Sequence, residues 1–163
     1  MLEQANEDIG IVETIVGISQ LEIKLTGKAG HAGTTPMNMR ADALVCASQI
    51  ISHIPELAKA AGDNTVATVG RLSVLPNGAN VIPSEVTFSV DIRSKNDISL
   101  RKVIEQIIEL TEQVSNSLAI SSDIVQPLYV QPTELNSDIY QLMQQHASDQ
   151  KLTFSFNGQW RGA

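Results

Sequence analysis

The chain has 163 residues, 42% of them hydrophobic, enough to bury a sizeable core but short for two full domains. A formal charge of −7, a pI near 4.8 and only 4% aromatic residues argue against nucleic acid, whose binding sites use basic grooves and stacking rings. No run of about 18 apolar residues could span a bilayer, and Met1 to Asp8 carry acids but no base, the opposite of a secretory leader, so a cytoplasmic protein without membrane partners is expected.

Ile9 to Val16 is strand-like and ends at Gly17. From Gln20 to Thr26 the apolar Leu21, Ile23 and Leu25 alternate with Glu22, Lys24 and Thr26, which predicts a strand with one buried and one wet face. Ala41 to about Ala61 predicts a helix. Pro55 is expected to kink or split it after Ile54, and Gly62 to end it. Cys46, the single cysteine, sits mid-helix among apolar residues and reads as a small buried hydrophobe. Val66 to Val74 is a strand of weaker alternation, interrupted by Gly70, and Pro76-Asn77-Gly78 is a turn. In the next strand Val86, Phe88, Val90 and Ile92 alternate strictly with Glu85, Thr87, Ser89, Asp91 and Arg93. Ser99 to Val114 predicts a second helix, with Leu100, Val103, Ile104, Ile107, Ile108 and Val114 on one stripe, Asp97 as cap and an Arg101–Glu105 pair on the wet side. Leu118 to Val125 supplies a further strand. Beyond the Gln131-Pro132 break, Ser137 to Asp149 predicts a short helix and Leu152 to Phe156 a short strand.

Between Gln20 and Val125 the order is strand, helix, strand, strand, helix, strand. It predicts an α+β fold, a ferredoxin-like βαββαβ sandwich: a four-stranded antiparallel sheet with two helices on one face and a polar, open opposite face.

Three residues stand out as chemistry-bearing. His31 lies in Gly30-His31-Ala32-Gly33-Thr34-Thr35-Pro36-Met37, between the first strand of the sandwich and its helix. There an imidazole and the backbone N–H groups of a helix start can converge on one polar or anionic group; the alternative is an ordinary surface loop. Asn80, in Gly78-Ala79-Asn80-Val81-Ile82-Pro83, is either an Asx-type turn residue or a ligand of substrate. Arg93 ends the strictly alternating strand on its polar face, where it either pairs with Asp91 or grips a carboxylate with its planar fork. Arg40 and Asp42 read equally well as a structural ion pair or cap. His53 and His146 lie in predicted helices with no companion at metal-ligand spacing, so no metal is assigned to this chain.

The His31 motif, followed at once by Arg40-Ala41-Asp42-Ala43-Leu44, resembles the lid (dimerisation) domain of the amidase, hydantoinase/carbamoylase family, a branch of the dimetal aminoacylase and carboxypeptidase superfamily. The Asn80-Val81-Ile82-Pro83 wording and the interval to Arg93 resemble the same family. The resemblance implies an N-carbamoyl amino acid hydrolase or allantoate amidohydrolase, with a catalytic His31 reaching into the partner subunit's active site and Asn80 and Arg93 binding substrate. It also implies two divalent metals, zinc or manganese, in a catalytic domain outside this chain, and a homodimer formed through the lid.

On that basis residues 1–17 are expected to be a remnant of the catalytic domain, 18–126 the lid and 127–163 a return segment, with the isolated chain inactive. Asn157-Gly158-Gln159-Trp160-Arg161-Gly162-Ala163 departs from the family's usual Ser-Gly-Ala-Gly-His-Asp-Ala. Open sheet edges and apolar residues on several sides of the first helix, at Leu44, Val45, Ile50 and Ile51, are the expected dimer surface. The topology puts His31 beside Asn80 and Arg93 at the far end of the third strand. Each site should therefore combine His31 and Asn80 of one subunit with Arg93 of the other. The competing possibility is a stand-alone α+β module that dimerises or binds a small anionic metabolite without chemistry.

Overall fold

The computed structural model describes residues 6–62 and 64–159. In chain order its strands are β1 (Ile9–Ile15), β2 (Gly17–Thr26), β3 (Gly30–His31), β4 (Val66–Leu75), β5 (Val81–Ile82), β6 (Glu85–Ser94), β7 (Ser121–Val130), β8 (Thr133–Glu134) and β9 (Phe154–Gln159). The helices are α1 (Ala43–Ala61), α2 (Asp97–Ser117) and α3 (Ser137–Asp149).

Strands β4, β6, β2 and β7 form, in that spatial order, a fully antiparallel sheet. Leu21, Ile23 and Leu25 of β2 and Val86, Phe88, Val90 and Ile92 of β6 are buried on one face, where they meet Ile50 and Ile54 of α1 and Leu100, Val103 and Ile107 of α2. The period of two in the strands and the stripes of the helices thus interlock in one core, the α+β sandwich expected from the sequence. Gln20, Glu22 and Lys24 line the opposite face, where Lys24 pairs with Glu85 and Arg71 with Glu22.

Several details differ from expectation. Helix α1 runs unbroken through Pro55, because Ile50, Ile54 and Ala58 on both sides of it are buried and hold the stripe together while Pro55 itself is exposed. Gly62, with φ 73°, ends it. Ile50 is fully buried and Ile51 packs against the core, so only Leu44 and Val45 of the four apolar residues assigned to a dimer surface are exposed. Asn96, not Asp97, caps α2, its Oδ1 accepting from the N–H groups of Ile98 (2.8 Å) and Ser99 (3.1 Å). Asp97 instead accepts from Tyr129 and pairs with Arg101 at 2.8 Å, which takes Arg101 away from Glu105 and lays it over the Tyr129 ring. These contacts hold the Asp97 carboxyl below the usual range, while burial, chiefly, pushes the Tyr129 phenol up to about 12. Cys46 is buried as expected, and burial raises its thiol to about 11.

The final sandwich strand starts and ends later than the apolar pattern suggests. Helix α2 continues to Ser117, Ala119 turns the chain with φ 55°, and β7 then runs past Pro127. It can do so because β7 is an edge strand, and the register jumps there from Glu22↔Val125 to Gln20↔Leu128, leaving Gln126 and Pro127 in a bulge.

A second, smaller layer flanks the sandwich: β8 antiparallel and β9 parallel to a central β1, with α3 packed on β1. The helix has the expected bounds. Strand β9 begins at Phe154 rather than Leu152 because Lys151 turns the chain (φ 59°) and Thr153 is tied to Asp8. Two chain crossings join the layers, side by side. A Cβ on Gly17 would lie 2.7 Å from Pro132 Cδ, so only glycine fits there. Of the tail motif, Trp160 to Ala163 lies outside the described residues.

Candidate functional site

His31 owes its place to a two-residue ladder, in which Gly30 pairs with Ile82 and His31 with Val81. The Ala32 N–H donates to the Asn80 carbonyl at 2.9 Å, which ties the His31 loop to the Asn80 turn. That turn is built by Asn77, with φ 58°, and by the Val81 N–H donating to the Gly78 carbonyl. His31 and Asn80 are both exposed, so the structure brings these two predicted residues together on a solvent-facing rim.

The loop does not, however, aim its N–H groups outward. Those of Thr34 and Thr35 donate to the His31 carbonyl, that of Gly33 to the His31 ring, and the helix start is closed by Asp42, which accepts from Leu44 and Val45. The expected convergence of backbone donors with the imidazole is therefore corrected: these donors are already spent, and the side chains of His31 and Asn80 carry what recognition the rim has. Arg40 makes neither an ion pair with Asp42 nor a cap. Its guanidinium donates to the carbonyls of Ala32 (2.7 Å) and Thr35 (2.9 and 3.1 Å). The only signal for this in the sequence was an arginine placed just after a turn-forming loop.

Arg93 lies at the other end of β6, where it faces Ile18 on β2 and Val66 on β4. It is partly buried and bonded to Asp91, Nε to Oδ1 at 2.7 Å and Nη2 to Oδ2 at 3.4 Å, and Gln20 also donates to Asp91. The pairing weighed as an alternative is thus present, and it orients the guanidinium plane. Nearby, Lys95 reaches Glu13 of the flanking layer at 3.7 Å, and the hydroxyls of Thr65 and Ser94 bond to each other in a buried position.

His31 and Arg93 stay apart. Thr26 pairs with Glu85 and Ile18 with Arg93, so Arg93 lies near one end of the β2–β6 ladder and His31 past the other. The span from Glu85 to Arg93, at about 3.3 Å per residue, is roughly 25 Å. Among the described residues no group of three or more His, Cys, Asp or Glu could hold a metal ion. No helix among them is long and apolar enough to cross a membrane.

The chain is similar over nearly its whole length to N-carbamoyl-L-amino-acid amidohydrolase of Paenarthrobacter aurescens (36% identical over 94% of this chain and 37% of the relative) and to allantoate amidohydrolase of Escherichia coli (31% identical over 94% of this chain and 38% of the relative). It thus spans less than two-fifths of the length of these curated relatives. Among solved structures, an amidase of the hydantoinase/carbamoylase family from Burkholderia multivorans superposes with a TM-score of 0.95 at 28% identity, covering 99% of this chain and 39% of that one. Residues 14–118 match the peptidase dimerisation domain family. The α+β sandwich with its His31 and Arg93 ends therefore belongs to the peptidase dimerisation domain family, in the form carried by hydantoinase/carbamoylase amidases.

Proposed function

We propose that the chain is the lid and dimerisation domain of an amidohydrolase that cleaves linear C–N bonds in N-carbamoyl amino acids or allantoate, acting as a homodimer. Residues 18–126 are the lid in this reading, and 1–17 and 127–163 belong with the catalytic domain. The names of the relatives support the reaction class. The observation that carries the division of labour is the placement of His31 and Asn80 at one end of the β2–β6 ladder and Arg93 at the other.

A ureido acid is several times shorter than that separation. One substrate molecule therefore meets His31 and Asn80 of one subunit and Arg93 of the other. Arg93, oriented by Asp91, grips the substrate carboxylate with its planar fork. Asn80 orients the ureido group, and His31 hydrogen-bonds the carbonyl oxygen as it gains negative charge. Among the described residues no group of three or more His, Cys, Asp or Glu could hold a metal ion, and this reading follows the family resemblance in assigning the two zinc or manganese ions, and the water activation they would supply, to a catalytic domain outside this chain. The isolated chain is accordingly expected to hydrolyse neither substrate.

The test uses two full-length variants, His31→Ala and Arg93→Ala, each inactive alone. Mixed under subunit exchange, they should form heterodimers that regain one working site. Verified heterodimers without activity would overturn the shared site, and full activity of His31→Ala would overturn the reading as a whole.

A further inference from the structure

Every backbone N–H from Ala32 to Thr35 is engaged within the rim: Ala32 to the Asn80 carbonyl, Thr34 and Thr35 to the His31 carbonyl, and Gly33 to Nδ1 of the His31 ring at 3.1 Å. The last of these is a side-chain contact with a chemical consequence. A backbone N–H can only donate, so the ring nitrogen it meets must present a lone pair. A neutral imidazole with Nδ1 as acceptor carries its proton on Nε2.

Two further features keep that contact in place. A Cβ on Gly33 would lie 3.3 Å from His31 Cε1 and 3.4 Å from Nδ1, so any side chain at this position presses on the ring. Arg40 spans the turn, with Nη2 on the carbonyls of both Ala32 and Thr35 and Nε on Thr35. A planar fork can hold two carbonyls at once in this way, whereas a lysine ammonium offers no fixed pair of directions.

We infer that Gly33 and Arg40 are positioning residues for His31: the Gly33 N–H locks the neutral ring with its proton on Nε2, and Arg40 holds the turn that presents this N–H. The inference rests on the proposed role of His31 and deepens it. The ring so held is a hydrogen-bond donor through Nε2 and not a base through that atom. It stabilises charge on the substrate carbonyl oxygen without accepting a proton, and the proton movements of the reaction fall to other groups.

The tautomer can be read directly on the 163-residue chain labelled with 15N, at about pH 8.5, where an ordinary histidine is neutral. His31 should appear wholly as the Nε2–H form, with a through-hydrogen-bond coupling between the Gly33 amide nitrogen and Nδ1. His53 and His146 serve as internal references. Gly33→Ala and Arg40→Lys should each lose the coupling and populate both tautomers. A wild-type His31 that mixes tautomers without coupling overturns the inference, and that spectrum decides even where a variant fails to fold. Coupling retained in Arg40→Lys removes Arg40 from it.

In the full-length enzyme both variants should lower kcat about 10- to 100-fold with KM within about two-fold. Unchanged kcat with a displaced ring overturns the positioning role while leaving the functional reading intact. An active His31→Ala enzyme overturns that reading instead.

Discussion

The sandwich and the flanking layer are built from the same parts, strands with a helix laid across them, yet they close their cores differently. In the sandwich, Phe88, Leu21, Ile23, Ile50 and Leu100 are at most 1% exposed, and the two helices cover one face of the sheet completely enough to leave no large apolar residue of β6 in water. In the flank, α3 buries only Ala147, while Ile139, Leu142 and Met143 are 57%, 55% and 53% exposed along an open cleft of about 480 Å3 beside Ile9 and Ile11. The sandwich has a closed core of its own. The flank has an apolar helix face that the described residues leave uncovered, which supports the proposal that residues 1–17 and 127–163 belong with a catalytic domain.

The sharpest way to break this contrast is to open a hole in the sandwich. Phe88→Ala should destabilise the chain by about 3–5 kcal/mol, read as a lower urea midpoint at constant slope. A value under about 1 kcal/mol would mean that the sandwich is not the seat of stability. A matched pair of caps sharpens the comparison further. Asn96 and Asn136 accept the same two N–H bonds at the starts of α2 and α3. Asn96→Ala should cost about 1 kcal/mol of global stability, whereas Asn136→Ala should speed amide exchange within α3 and leave the global midpoint in place. Smaller still, Leu142→Ser should change stability by less than about 0.5 kcal/mol while reducing binding of a hydrophobic dye. A large loss would show that the exposed face is packed in solution.

The smallest effect is one of pH. Asp97 is held below its ordinary value of 3.8 by the Tyr129 hydrogen bond first and then by Arg101. A carboxyl depressed in the folded state contributes stability above its unfolded value and loses it as pH falls through the folded one. Asp97→Asn should therefore be slightly less stable than the parent near neutrality and converge with it in strong acid, as followed by thermal melts across pH. The pair is largely in solvent, so salt should shrink the difference.

What was legible in the sequence was whatever a local period encodes. The alternation of β6 and the stripe of α2 each bury one face, and both appear at nearly the expected residues. Features set by long-range contact were not legible. The strand expected to end at Val125 runs on past Pro127, and only the edge position of β7 lets a bulge absorb that proline. Asp97 has the right chemistry for a cap, but Tyr129, brought in by β7, competes for its carboxylate and leaves the cap to Asn96. Of the candidate site, the neighbourhood of His31 and Asn80 followed from strand order, while its place after a turn-forming loop was all that pointed to Arg40 spanning carbonyls eight and five residues earlier in the chain.

The close contact of Gly17 with Pro132 has a consequence for how such a domain can be handed between proteins. Because Ile18 pairs with Val130, the chain passes into the sandwich and out of it on adjacent strands, about 4.8 Å apart. A host fold can therefore admit the whole unit at one loop without separating the two ends of that loop. With both crossings braced against each other at a glycine that tolerates no side chain, the unit behaves as a plug on a two-stranded stem and not as a bead on a string.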